Sequence, residues 1–303
     1  MKFYPEGQNP QLLRTFDTLE DVKIAMMNGS VMESRVLMCD SEHNLHVDLG
    51  IIKGIIPREE GAIGIDDGTT RDIALISKVN KPVCFIVLGF QRDDSGNISA
   101  ILSRKAVQLG CKKSFIDNLA EGDIIDARVT HLEKFGAFID IGAGINALIP
   151  IDMLSVSRIN HPRERVYEGE CIKVVLRKRE PEKLTFSLKE LLGTWSENAK
   201  MFQPGETVTG TVRSIETYGV FVELTPNLAG LAEPCDYLFE GQRVAVYIKS
   251  VLPDKMKIKL VIVEAFEEAE MAQDLTYFVN APHIDRFDYS PPGAPKVIST
   301  VFE

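Results

Sequence analysis

"KFGAFIDIG" spans Lys134–Gly142, and "TYGVFVELT" spans Thr217–Thr225, 83 positions later. Each copy places an aromatic, a glycine, one further residue and a second aromatic in the same order. The likeness extends outward. Residues 121–141, "EGDIIDARVTHLEKFGAFIDI", align with 204–224, "PGETVTGTVRSIETYGVFVEL". Identical pairs are Gly122/Gly205, Val129/Val212, Glu133/Glu216, Gly136/Gly219 and Phe138/Phe221, and most other pairs are conservative. Self-similarity at this spacing marks a repeated domain. A fainter third copy lies upstream at Asn28–Gly50, "NGSVMESRVLMCDSEHNLHVDLG", with His43 and His46 at the two aromatic positions.

Each copy reads as β-structure. Ile125, Ala127 and Val129 alternate with polar residues, as do Val208, Gly210 and Val212, which is the period of a half-buried strand. A strand follows the central glycine, a short one lies at "NALIP" or "LAGLA", and "EGECIKVVLRK" and "EGQRVAVYIKS" supply a fourth. "KLTFSLK" and "KIKLVIV" close each copy. Five short antiparallel strands suit a small closed barrel, which has no exposed edge.

Strand parity sorts the motif into two faces. Ala137, Ile139 and Ile141 share one, and Phe138 and Asp140 the other. If Asp140, Glu223 and Asp48 face water, then Phe138, Phe221 and His46 lie on the outside. A recurrent outer aromatic either packs beneath a neighbouring loop or offers a base a stacking platform, worth about 1–3 kcal/mol per base. Gly136 and Gly219 are read as the bends that expose Phe135 and Tyr218.

The shared pattern resembles the S1-type RNA-binding repeat of the bacterial ribosomal small-subunit protein. Residues 122–189 and 205–263 carry it well, and 29–105 more weakly. The resemblance implies an all-β chain of three tandem five-stranded OB-fold barrels joined by short helices, with a partly helical C-terminal tail. The expected segments are a helical lead (1–28), a divergent first repeat (29–108), a second (121–192), a third (204–263) and an acidic tail (264–303). It further implies binding of single-stranded RNA, in translation or on the ribosomal small subunit, or alternatively a docking scaffold with little RNA affinity. Carried over residue by residue, the RNA-binding positions are Phe135, Phe138 and Lys183 in the second repeat, and Tyr218, Phe221 and Lys257 in the third. Lys134 and Arg177 join the second site as neighbouring cations. The family's histidine position departs from the pattern, falling on Pro150 and Glu233, and Glu233 would repel phosphate. The first repeat is expected to dock on protein.

Charge agrees with a mild binder. The net charge is −10, but residues 264–303 alone carry −6 while residues 111–204 sum to zero. That distribution argues against a strongly electrostatic nucleic-acid binder. The tail reads as an acidic amphipathic helix over 264–279, followed by a segment with Phe287, Tyr289 and Phe302. It serves either as a strap or as a competitor for the stacking platforms. "DTLEDVKIAMMNG" (Asp17–Gly29) reads as a helix capped by Asp17 and Glu20, and helical linkers are expected over 104–122 and 188–202, with Trp195 as an anchor between domains. The five cysteines are too scattered for a zinc site or a disulfide framework and fit a reducing cytoplasm. The longest apolar runs, such as "CFIVLGF" (Cys84–Phe90), are strand-length, and no secretory leader pattern opens the chain. Nucleotide-loop, zinc-protease and nucleophile-elbow motifs are missing from the sequence, so no enzyme, cofactor or small-molecule substrate is expected.

Overall fold

The computed structural model describes residues 3–13, 15–92, 96–181, 183–269 and 275–302. The chain divides into two units: residues 1–119 with 140–146, and residues 120–139 with 147–303.

In the first unit, α1 (Leu19–Met27) leads into β1 (Met32–Cys39), β2 (Leu45–Asp48) and β3 (Lys53–Ile56). The short α2 (Ile73–Ile76) precedes β4 (Pro82–Arg92) and β5 (Ile98–Ser103). They close a barrel in the order β1-β2-β3-β5-β4. Alternate residues fill its core, among them Val36, Leu45, Val47, Ile56, Phe85 and Leu102. α1 begins one residue later than expected: Thr18, not Asp17, is the cap, accepting from the Asp21 N–H. α3 (Arg104–Ser114) follows, capped by Ser103.

The second unit holds two barrels of the same topology. β6 (Ile124–Glu133), β7 (Gly136–Asp140), β8 (Asn146–Pro150), β9 (Cys171–Glu180) and β10 (Lys183–Ser187) close as β10-β8-β7-β6-β9. α4 (Trp195–Ala199) leads to β11 (Thr207–Glu216), β12 (Gly219–Thr225), β13 (Leu228–Ala232), β14 (Gln242–Leu252) and β15 (Lys257–Ala269), which close as β11-β12-β13-β15-β14. The repeated sequence thus builds a repeated barrel, and the three-barrel, all-β reading holds. Trp195 is buried in the third barrel's core cluster.

The tail differs from its expected form. No helix occupies the described part of 264–279. Residues 264–269 continue β15, because β14 pairs along it as far as Gln242↔Ala269 and the Gln242 side-chain amide donates to the Phe266 carbonyl. Beyond it, β16 (Arg286–Asp288) and β17 (Ser299–Val301) form a two-stranded sheet. Phe287, Tyr289 and Phe302 are buried. The tail's backbone is stitched to both barrels: Ile284 N–H donates to the Gly122 carbonyl, Ile124 N–H to Pro282, and Trp195 N–H to Tyr289. Its aromatics therefore pack as a strap and do not cover the exposed platforms.

The parity argument survives although its premise holds only for Asp48, which is exposed. Asp140 and Glu223 are both buried. Asp140 accepts backbone N–H bonds from Glu6 (2.8 Å), Gly142 (2.8 Å) and Gly144 (3.0 Å). Burial, aided by the Glu6 charge, still pushes its carboxyl up to about 6. Burial alone would raise Glu6 as well, but Arg104 and Lys78 hold it far below the usual carboxylate range. Glu223 is held by two guanidinium groups, as described below. A polar residue on a barrel's outer face need not face water when another element covers it and satisfies it.

Candidate nucleic-acid interface

The β6–β7 hairpin turns at Lys134 and Phe135, which leaves both side chains exposed. Phe135 is 56% exposed, whereas Phe138, on the outer face of β7, is half-buried. Their rings meet edge to face, with centroids 5.9 Å apart and planes at 88°. The β11–β12 hairpin repeats this geometry: Tyr218 is 64% exposed, and its ring meets Phe221 at 6.2 Å and 88°. Such T-shaped pairs are favoured by the aromatic quadrupole. Each pair offers one open ring braced by a second.

The glycine between each pair is required by a close approach. A Cβ at Gly136 would stand 2.3 Å from the Ile149 carbonyl oxygen and 3.1 Å from Leu148 Cδ1. At Gly219 it would stand 2.4 Å from the Ala232 oxygen and 2.9 Å from Leu231 Cδ1. The third strand thus crosses directly against the motif glycine, and its leucine borders the aromatic pair.

The expected cations are dispersed. Lys183 and Lys257 are exposed at the first positions of β10 and β15. Arg177 is half-buried on β9, separated from β7 by β6, and its guanidinium lies 5.7 Å from the Phe302 ring centroid. Arg177 is thereby engaged with the tail. Lys259 was missed by the sequence reading. It is registered with Leu231, which is registered with Phe221, so these three residues line up across β15, β13 and β12. The alternation Lys257, Lys259 in "KIKLVIV" was the signal that would have found it. Glu233 is exposed after β13. His131 on β6 lies between Glu168 (2.9 Å) and Glu133 (3.0 Å); these bonds, Glu133's first, raise its basicity while offsetting its charge.

Among its described residues, the first barrel carries no such platform. His46 Nε2 lies 2.9 Å from Asp40 Oδ2, and this bond is the main cause that draws Asp40 down to about 2. His43, in a left-handed conformation, lies 3.5 Å from Asp72. Both imidazoles are thus held by carboxylates. Among the described residues, no cluster of three His, Cys, Asp or Glu side chains could hold a metal ion, and no helix is long and apolar enough to cross a membrane.

Residues 118–189 match the family model of the S1 RNA binding domain. The chain is 37% identical over 187 residues to the small ribosomal subunit protein bS1 of Staphylococcus epidermidis, covering 56% of this chain and 47% of that protein. It is 31% identical over 249 residues to the small ribosomal subunit protein bS1 homolog of Bacillus subtilis, covering 76% of this chain and 62% of that protein. The chain spans about half to three-fifths of the length of these curated relatives. A solved multidomain protein with nucleic acid binding domains from Streptococcus pneumoniae aligns over 80% of this chain and 76% of that one, at 14% identity and a TM-score of 0.27.

Proposed function

Because the chain carries an S1 RNA-binding domain and builds its barrel three times, we propose that it binds single-stranded RNA in a ribosome-associated, cytoplasmic role, without chemistry of its own. The observation that carries this reading is the pair of equivalent platforms, Phe135–Phe138 and Tyr218–Phe221, each with one ring open to solvent. An unpaired base has a free face to stack on such a ring, whereas a duplex keeps its base faces covered. Lys134, Lys183, Lys257 and Lys259 supply phosphate contacts around the platforms. The ribosomal setting is supported by the names of the curated relatives. The first barrel, whose imidazoles are held by acids, serves in docking on protein.

Fluorescence anisotropy with a labelled oligouridylate and a matched duplex, at two salt concentrations, tests the reading. It predicts preference for the single strand. The four lysines alone contribute about −3 to the slope of log K against log salt, at roughly 0.7 per phosphate for single strands. His43→Ala with His46→Ala should leave this affinity unchanged. Equal binding to duplex, or no binding, would favour a docking scaffold instead.

A further inference from the structure

The loop of the second repeat between β8 and β9 is fastened along the third barrel. Val156 N–H donates to Asn227 Oδ1 at 3.0 Å, and Ser157 N–H to the Pro226 carbonyl at 3.2 Å, which fixes the loop to the β12–β13 turn. Farther on, the single helical turn Pro162–Glu164 is locked by a reciprocal cap between His161 and Glu164. Glu164 pairs with Arg213, and Arg165 pairs with Glu223. Arg213 also grips Glu223 with two bonds of 2.9 and 3.0 Å. The Arg165, Glu223 and Arg213 side chains are only 2%, 5% and 6% exposed.

Two features of this network bear on the Tyr218–Phe221 platform. First, Glu223 lies two residues from Phe221 on the same face of β12, and the paired arginines neutralise a carboxylate that would otherwise repel phosphate. Second, Ser214, next to Arg213, is registered opposite Phe221. The turn holding Arg163 is therefore anchored within two residues of the platform on one strand and beside its cross-strand partner on the other. Arg163 sits between two anchored neighbours, is itself exposed, and makes no ion pair among the described residues.

We propose that Arg163 of the second repeat is a phosphate-binding residue of the third repeat's site. The strand whose base stacks on Tyr218–Phe221 passes over the second repeat's loop, where the Arg163 guanidinium takes a backbone phosphate. The inference rests on the RNA-binding reading and deepens it. Lys257 and Lys259 serve the β15 side of the platform, and Arg163 serves the β11 side, compensating for Glu233. A guanidinium suits this role because it holds a phosphate with paired, charge-assisted hydrogen bonds.

The test uses the full chain with a labelled oligouridylate. Arg163→Glu, Arg163→Lys, Phe221→Ala and Phe138→Ala are compared singly, and Arg163→Glu is also combined with each phenylalanine variant. Arg163→Glu should weaken binding about tenfold and lower the salt slope by at least about 0.7. Arg163→Lys should retain the slope. The loss should shrink in the Phe221→Ala background and persist in the Phe138→Ala background, since coupling is confined to groups that share a site. Because Arg163 is exposed, thermal transitions should match the parent's. An unaffected affinity, or a loss that is equal in both backgrounds or coupled to Phe138, would overturn the proposal. Absence of RNA binding by the parent chain would sink the functional reading and this inference together. Binding that responds to Phe221→Ala but not to Arg163→Glu would remove this inference alone.

Discussion

Tyr289→Ala tests whether the tail is a structural strap. The Tyr289 ring is buried in the third barrel's core cluster, its hydroxyl donates to the Asn227 carbonyl at 2.6 Å, and its own carbonyl accepts from the Trp195 N–H at 3.0 Å. Removing a buried aromatic ring costs about 3–5 kcal/mol, cavity included. The lost donor leaves the Asn227 oxygen with one partner fewer, a further cost of about 1 kcal/mol. For a folding unit of this size, each kcal/mol moves the melting temperature by about 2–4 °C, so a fall of about 8–24 °C is expected. Tyr289→Phe, which keeps the ring, should cost only about 1 kcal/mol. The chain's single tryptophan is Trp195, so its fluorescence reports on this junction directly. RNA affinity measured well below the transition should stay constant in both variants, because the tail's aromatics are packed away from the platforms. A Tyr289→Ala protein with an unchanged tryptophan transition would refute the strap. Tighter RNA binding by that variant would restore the idea of a tail that competes with RNA.

Two further outcomes follow from the geometry. Gly136→Ala drives a methyl group to 2.3 Å from the Ile149 carbonyl, and backbone cannot swing aside as a side chain would. It should destabilise by about 1–3 kcal/mol in urea denaturation and disturb the second platform, lowering RNA affinity as well. His283 lies 2.7 Å from Asp123 and 3.2 Å from Asp285, and those bonds, Asp123's first, raise its pKa above the ordinary 6.5. Its contribution is therefore fully present below pH 6.5 and lost as pH rises through the raised value. His283→Ala should flatten the fall in melting temperature across that window, and an identical pH profile in the variant would contradict the assignment.

The barrels were legible in the sequence because their signals are local: period-two alternation, a duplicated hairpin motif and glycines at matching offsets. The aromatic pairs were legible for the same reason, since each is made by residues three apart in one hairpin. The misread features depend on distant partners. Nothing near Asp140 announces the Glu6 backbone N–H, 134 residues away, that helps to bury it. Nor does the surrounding sequence reveal that Arg165 neutralises Glu223 from 58 residues upstream. The acidic stretch after Val263 has a composition that favours helix. Pairing with β14 overrides that propensity, and the strand runs on to Ala269. The sequence reading put the cap of α1 at Asp17, whereas Thr18 is the residue that accepts from the Asp21 N–H, a single hydrogen bond that composition does not reveal.

The stacking platform is tested most directly by the single-strand affinity of Phe138→Ala. The ring lies on the outer face of β7, and the core beneath it is filled by Ala137 and Ile139 from the other face. The variant should keep the parent's thermal transition to within a few degrees. Removing the ring that braces the open Phe135 face costs the platform one stacked base, about 1–3 kcal/mol, and predicts affinity for a labelled oligouridylate reduced about 5- to 150-fold. A folded Phe138→Ala protein that binds the oligonucleotide as tightly as the parent would contradict the account.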